Sequence, residues 1–402
     1  MRVNHSNPRH VRAAMVGVLC LGGLSGMMAT GLLGPFRSGF AEHYDITQGQ
    51  LGAGIAVIGI VLGMVGIWQG PRLADRIGRY RLLKCSVGMM VIGLTGCGLW
   101  TDLRVLAAFW ALFMLGAYLS IITNAVATDL WRDEPRRGVL LLHSTLSVGK
   151  IIGPSIATLC MVVLAGLPWR GFFFFGAASS LTILVFLSFV RQGKVYHPKE
   201  EHAWREDPVD RPLALWLSAA LLGLMAGSET ALASIAPLFF KEQHGLSGEF
   251  AAELLTFHFI ALTAGRFAFG IFGGKLSSKV IVALAVAPAA LIVPAAYSSS
   301  RATSIVCFVI VGLCFAATWP ALFAHVAGVF SRNRSRLTLA VGLMNASGIA
   351  AGTAATSWMF ESNRPIAMLL GPVLLVLSAG TFILFQGLLG SAAPPAEDSS
   401  SP

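Results

Sequence analysis

Stretches of Leu, Val, Ile, Ala, Gly and Phe, each near the length of a membrane span and each closed by a short polar or charged segment, recur along the whole chain. None alternates with period two. Lipid offers the backbone no hydrogen-bond partner, so the runs predict membrane-crossing helices rather than barrel strands. Six runs cover about residues 13–33, 51–69, 82–100, 105–130, 138–165 and 172–190. Six more cover about 213–240, 250–272, 280–297, 304–330, 337–360 and 366–389. Between the two sets, residues 191–211 hold ten charged side chains in 21 positions and cannot span. After the last run, GSAAPPAEDSSSP predicts a disordered tail.

The expected fold class is an all-α polytopic membrane protein with twelve transmembrane helices in two six-helix pseudo-repeats. Its bundles would occupy 1–190 and 213–389, with a cytoplasmic linker over 191–212 and the tail over 390–402. A weak internal repeat agrees with this: SVGKIIG at 147–153 aligns with ASGIAAG at 346–352, and LADR at 73–76 with LSSK at 276–279. Two related bundles with a site between them near the midplane is the plan of a secondary transporter.

Composition excludes most other classes. The chain is 55% hydrophobic and 12% charged, with mean hydropathy +0.72, whereas soluble domains carry about 25% charged residues. A net charge of +10 suggests a polyanionic partner, but the cations are spread over interhelical loops rather than one soluble face, so no nucleic acid is expected. Of the 29 Lys and Arg, Lys150 and Arg266 fall inside apolar runs, and Arg37, Arg104, Arg170, Lys241, Arg301 and Arg364 fall in one set of loops. All the others lie in the amino-terminal tail, the linker and the opposite loops. That asymmetry places both termini in the cytoplasm of a multi-pass cell-membrane protein, in bacteria the inner membrane. The first run leads into a second span rather than a cleavage site and reads as an uncleaved helix. Cys20, Cys85, Cys97, Cys160, Cys307 and Cys314 are scattered, without C-x-x-C or metal spacing. With no nucleotide loop or nucleophile triad either, neither an enzyme, a metal nor a cofactor is expected.

The densest charge outside the linker is GPRLADRIGRYR, Gly70 to Arg81, read as a short cytoplasmic turn. Its carboxylate, Asp75, is suited to the positive end of a helix beginning on the same face. This stretch resembles the loop signature of the major facilitator superfamily, G-x-L-x-D-R-x-G-R-[RK], with matches at Leu73, Asp75, Arg76, Gly78 and Arg79 and departures at Pro71 and Tyr80. The resemblance implies two bundles that rock about a central site, and a cytoplasmic gate of Asp75, Arg76, Gly78 and Arg79 with Asp75 latched to the start of the eleventh run. In the second half Ser278 replaces the acid, so the gate would be asymmetric.

A finer resemblance rests on GSET around Glu229, Gly265-Arg266, Gly270 and Trp319-Pro320, with Asn124, Leu142-His143, Gly153-Pro154 and Trp169-Arg170 in the first half. Together these are similar to the fucose/glucose-type sugar:proton symporter branch. That branch has an embedded acid in helix 7 and polar side chains around a sugar cavity. Lys150, and the lack of an acid in the first run, depart from it.

An ionisable group at membrane depth costs about 2.5 to 3.5 kcal/mol, so it faces a cavity or a partner. Glu229 stands roughly 24 Å along its helix and is the candidate for proton coupling, with a structural ion pair as the alternative. Lys150, roughly 18 Å in, suits three roles: binding an anion, pairing with Glu229, or snorkelling. Arg266 reads as a clamp on carbonyls or on a cytoplasmic-gate acid ahead of a substrate contact. His258 is placed to approach Glu229. His143 and His325 read as packing residues, Asn124 and Asn345 as cavity donors, and Trp319 as a stacking or packing ring.

The function expected from these residues and resemblances is proton-coupled alternating access, as a monomer, for a small polar metabolite, either a sugar or an organic anion. The bilayer, the solute and protons are the partners. Proton-antiport efflux of drugs or metabolites would instead need an apolar, aromatic cavity, and a non-transporting membrane sensor would need a signalling domain.

Overall fold

The computed structural model describes residues 8–32, 34–131, 135–164, 166–189, 211–272, 278–316, 318–330 and 334–384. Regular structure among the described residues is helical throughout. In the first half, α1 (Pro8–Gly31), a short α2 (Arg37–His43), α3 (Gln48–Ile77), α4 (Arg79–Leu99), α5 (Leu103–Leu119), α6 (Thr123–Leu130), α7 (Pro135–Val163) and α8 (Pro168–Ser188) follow in order. The second half holds α9 (Pro212–His244), α10 (Gly248–Phe272), α11 (Ser278–Tyr297), α12 (Arg301–Phe315), α13 (Thr318–Val329), α14 (Arg334–Ser362) and α15 (Arg364–Leu384). Among the described residues, nine helices are long and apolar enough to cross a membrane, and Leu103–Leu119 and Val286–Tyr297 are shorter apolar helices. The expected tail, and residues 191–210 of the expected linker, lie outside the described residues.

Three local features differ from the sequence expectation. The charged island from Gly70 is not a turn along its length: α3 runs through it to Ile77 with Pro71 inside the helix. The break comes at Gly78, whose φ of 92° caps α3 and starts α4. A helix leaving hydrocarbon keeps its own hydrogen bonds in water and stops only where a residue without Cβ turns the chain. Secondly, two of the expected spans are interrupted. Between α5 and α6 lies a 3-10 turn, Ser120–Ile122, where the Ser120 hydroxyl donates to Ala117 O at 2.7 Å and Thr123 to Ser120 O. Between α12 and α13, Pro320 lacks the N–H that would continue the ladder, and Thr318 Oγ1 donates back to Phe315 O at 3.1 Å. Thirdly, the short α2 was not expected; a capping box at Thr47 and Gln50 then starts α3.

Two buried apolar clusters form, one drawing residues from Ala14 to Leu187 and the other from Ala214 to Ala379. Each half contains one very close parallel helix pair. A Cβ on Gly149 of α7 would overlap the carbonyl oxygen of Gly23 in α1, and a Cβ on Gly348 of α14 would overlap that of Gly223 in α9. Gly149 and Gly348 are equivalent positions of the internal repeat, so the same contact is made twice. Contact between the halves follows two lines. Along α3 and α14, Gly52 meets Ser357, Gly59 meets Ala350 and Gly63 meets Ala346, an antiparallel register. Along α7 and α10, Ser155 bonds Glu253 at 3.1 Å and Thr256 at 3.0 Å, and Thr158 Oγ1 donates to Glu249 O at 3.3 Å.

Candidate functional site

The embedded charges meet where α7, α9 and α10 converge. Ser147 and Lys150 are three residues apart and share one face of α7. Thr30 of α1 fixes the backbone there, its hydroxyl donating to Lys150 O at 3.0 Å. Glu229 follows Gly227 and Ser228, which seat α9 against its neighbours, Gly227 on Gly348 and Ser228 under Gly371. Lys150 Nζ lies 2.5 Å from Glu229 Oε1, and Arg266 Nη2 lies 3.4 Å from Glu229 Oε2. Arg266 Nη1 donates to Ser147 Oγ at 3.2 Å. These side chains are 18%, 12% and 24% exposed for Lys150, Glu229 and Arg266. The trio joins the two halves and carries one more positive charge than negative. Lys150 Nζ also stands 5.6 Å from the centroid of the buried Phe259 ring.

Arg266 therefore departs from the clamp on carbonyls or a gate acid read from sequence: its guanidinium turns to Glu229 and Ser147, and its Nε is buried without a hydrogen-bond partner. His258 is fully buried behind the trio, its Nδ1 3.0 Å from Phe308 O and its ring stacked on Phe308. It has no hydrogen bond to Glu229 among the described residues.

A cavity of about 300 Å³, lined by none of the trio, lies between α1, α3, the α5–α6 break, α7 and α14. Its polar wall includes Ser25, Tyr118, Ser120, Asn124, His143 and Asn345. Asn124 and Asn345 come from opposite halves, and the Oδ1 of each is buried without a partner. Leu146 in the same wall immediately precedes Ser147, so cavity and charges share one stretch of α7. Trp319 is set apart from this cavity, stacked on Phe323 at 5.0 Å with its Nε1 buried and unpartnered. Asp75, Arg76 and Arg79 are exposed around Gly78. The side chains of residues 331–335, at the start of α14, lie outside the described residues, and with them the latch expected for Asp75.

One family's sequence pattern matches this chain. A description of the Major Facilitator Superfamily matches residues 19–280, more than half of the 402-residue chain. The chain belongs to the Major Facilitator Superfamily. An uncharacterized MFS-type transporter, YcaD, of Salmonella paratyphi B is 27% identical over 155 residues, 38% of this chain. The chain spans 37% of the length of the curated relatives it matches. Among solved structures, a D-xylose-proton symporter is similar with a TM-score of 0.74 at 14% identity, over 96% of this chain and 98% of that one. The xylose transporter XylE from E. coli, partially occluded and inward open, gives 0.75 at 12% identity over 94% and 99%. A bacterial homolog of the human lysosomal transporter Spinster, inward-facing and occupied, gives 0.73 at 16% identity over 97% and 100%. At these identities the likeness is one of fold.

In this Major Facilitator Superfamily chain one polar cluster escaped the sequence reading. Arg37, counted there as a loop cation, is 2% exposed. Its Nε donates to Gln48 Oε1 at 2.8 Å, its Nη2 to Gln48 O at 3.2 Å, and Nη2 also to Ser357 Oγ across the interface. Beside it Gly49 N donates to Glu361 Oε1 at 2.6 Å. Burial pulls the Arg37 guanidinium down to about 10, against the opposing pull of Glu361. Only the sharp turn GPFR between two apolar runs hinted at this, and the partner across the interface, Ser357, lies 320 positions away in sequence.

Proposed function

We propose that this chain is a secondary transporter that moves a small polar metabolite by proton-coupled alternating access. Twelve spans would form two six-helix bundles with both termini in the cytoplasm, and Glu229 would be the proton-exchanging group. The observation that carries the reading is the Lys150–Glu229–Arg266 cluster. It joins the two halves, and a cavity walled by both of them shares its stretch of α7. A carboxylate held by cations from two other helices is a switch, because a proton or a solute that competes for any member loosens the contact between halves. The likeness of fold to a D-xylose-proton symporter supports proton coupling. The wall offers a polar solute the carboxamides of Asn124 and Asn345 and the hydroxyls of Ser25, Ser120 and Thr123, set among apolar side chains such as Leu21, Ile67, Leu142 and Ile349.

The hydrogen bonds of Arg37, Gly49, Ser155 and Thr158 tie the halves together at the α2 end of the molecule. With the amino terminus inside, this end is the outer face, and the cavity lies toward the cytoplasm. The state described would then be closed to the outside.

The test is proton movement in proteoliposomes carrying an internal pH dye, challenged in turn with neutral sugars and small carboxylates. A solute gradient that acidifies the lumen with wild type and not with Glu229→Gln is the expected result. Tracer flux without proton movement would remove the coupling, and no flux of any solute would remove transport.

A further inference from the structure

The charged trio and the cavity are unsatisfied in complementary ways. On one side, two cations face one carboxylate, and the Arg266 Nε is buried without a partner. The two acids of α10, Glu249 and Glu253, stand toward the α2 end of the helix and not at the trio: Glu253 is engaged by Ser155 at 3.1 Å, five residues beyond Lys150, and Glu249 lies one turn further on. On the other side, both halves contribute a carboxamide with a buried, unpaired oxygen to the cavity wall. A buried polar group without a partner costs free energy that a ligand can return. From His143, in the wall, to Ser147, which holds Arg266, α7 rises about 6 Å, the length of a short hydroxy-acid chain.

We infer that the solute is a hydroxylated carboxylate, one molecule that answers both deficits. Its carboxylate meets the Arg266 fork with Lys150 alongside, and its hydroxyls meet Asn124 and Asn345. A neutral polyol leaves the excess cation unanswered, and an unsubstituted carboxylate leaves both carboxamides unanswered. With Nη1 on Ser147 and Nη2 on Glu229, the unpartnered Nε offers a carboxylate a further bond beside Nη2, a planar two-point contact that a lysine cannot make. A cavity of about 300 Å³ stands at the small end of ligand pockets, in keeping with a single small acid. The inference rests on reading this region as the solute site.

It is tested by binding rather than by flux. Titration calorimetry on detergent-purified protein would compare D-gluconate, D-sorbitol and hexanoate, which share a six-carbon chain and differ only in carrying both functions or one. D-gluconate is expected to bind about tenfold tighter or more than either of the others. Arg266→Lys keeps the charge and loses the fork; it should weaken gluconate about tenfold while leaving sorbitol unchanged. Asn345→Ala should weaken gluconate about threefold to tenfold while leaving hexanoate unchanged. Should Asn345→Ala not fold, Asn124→Ser reads the same wall. Sorbitol or hexanoate binding as tightly as gluconate, equal affinity in the folded variants, or no binding of gluconate overturns the inference. The two readings fail separately: gluconate binding without flux in proteoliposomes removes transport alone, and flux of neutral sugars alone removes the hydroxy acid alone.

Discussion

Glu229 answers to two cations at once, and its neighbours in turn depend on it. Removing the acid leaves Lys150 and Arg266 facing each other in a region only 12 to 24% exposed, and removing Lys150 leaves Glu229 with the looser 3.4 Å contact. Each single change, Glu229→Ala or Lys150→Ala, should destabilise the detergent-solubilised protein by about 2 kcal/mol, less than a fully buried pair because water still reaches these groups. The double variant should be more stable than the sum of the two singles, and a melting-temperature cycle would show it. Simple additivity would mean that the contact has no energetic weight. Arg37 has a pH signature with a definite sign. Burial lowers its value from the ordinary arginine range to about 10 in the fold, so above about 10 the unfolded chain binds more protons, and the Arg37 contribution to stability rises with pH there. Below about 10 both states carry the full charge. Unfolding of Arg37→Gln relative to wild type should therefore show a constant difference from pH 5 to 9; a difference that titrates in that range would contradict the assignment.

That the chain is built of long apolar helices could be read from the sequence, because hydrophobicity and length decide it. Ionisable positions such as Glu229 and Lys150 could be singled out because charge at depth is costly. What escaped was local backbone detail: the helical course of Gly70 to Ile77, the breaks at Ser120 and Pro320, and the short α2. These depend on single hydroxyls, one proline and one left-handed glycine, which barely alter a hydropathy profile. The repeated glycine contact is an element-scale feature with a sharp consequence. Gly149→Ala and Gly348→Ala push a methyl group into the backbone of the facing helix and should each lower stability by about 1 to 3 kcal/mol. Gly54→Ala, where nothing lies within 4 Å, should leave melting unchanged. Equal tolerance at all three positions would show that the helix pairs are not so closely packed.

For the molecule as a whole, the bonds of Arg37, Gly49 and Ser155 tie the halves together at the α2 end, while the cavity lies toward the other. Ser357→Val deletes the Arg37 bond across the interface and leaves a buried guanidinium short of an acceptor. Spin labels at Glu42 and Ser362, both exposed at that end, should then report a larger population of long distances than in the parent. An unchanged distribution would mean that the latch does not hold the halves.

The sequence by itself determined that the chain is a helical membrane protein with a few charges at depth, since each of those statements follows from what a segment of chain tolerates in lipid. Which charge meets which partner was decided only in three dimensions. Lys150 had three roles open to it in sequence, and the approach of α7 to α9 places it on Glu229. Arg37 passed for a loop cation until the end of α14 came to cover it. Contacts between residues 79 and 320 positions apart carry no local pattern, because they arise from the packing of whole helices and not from the propensity of any segment.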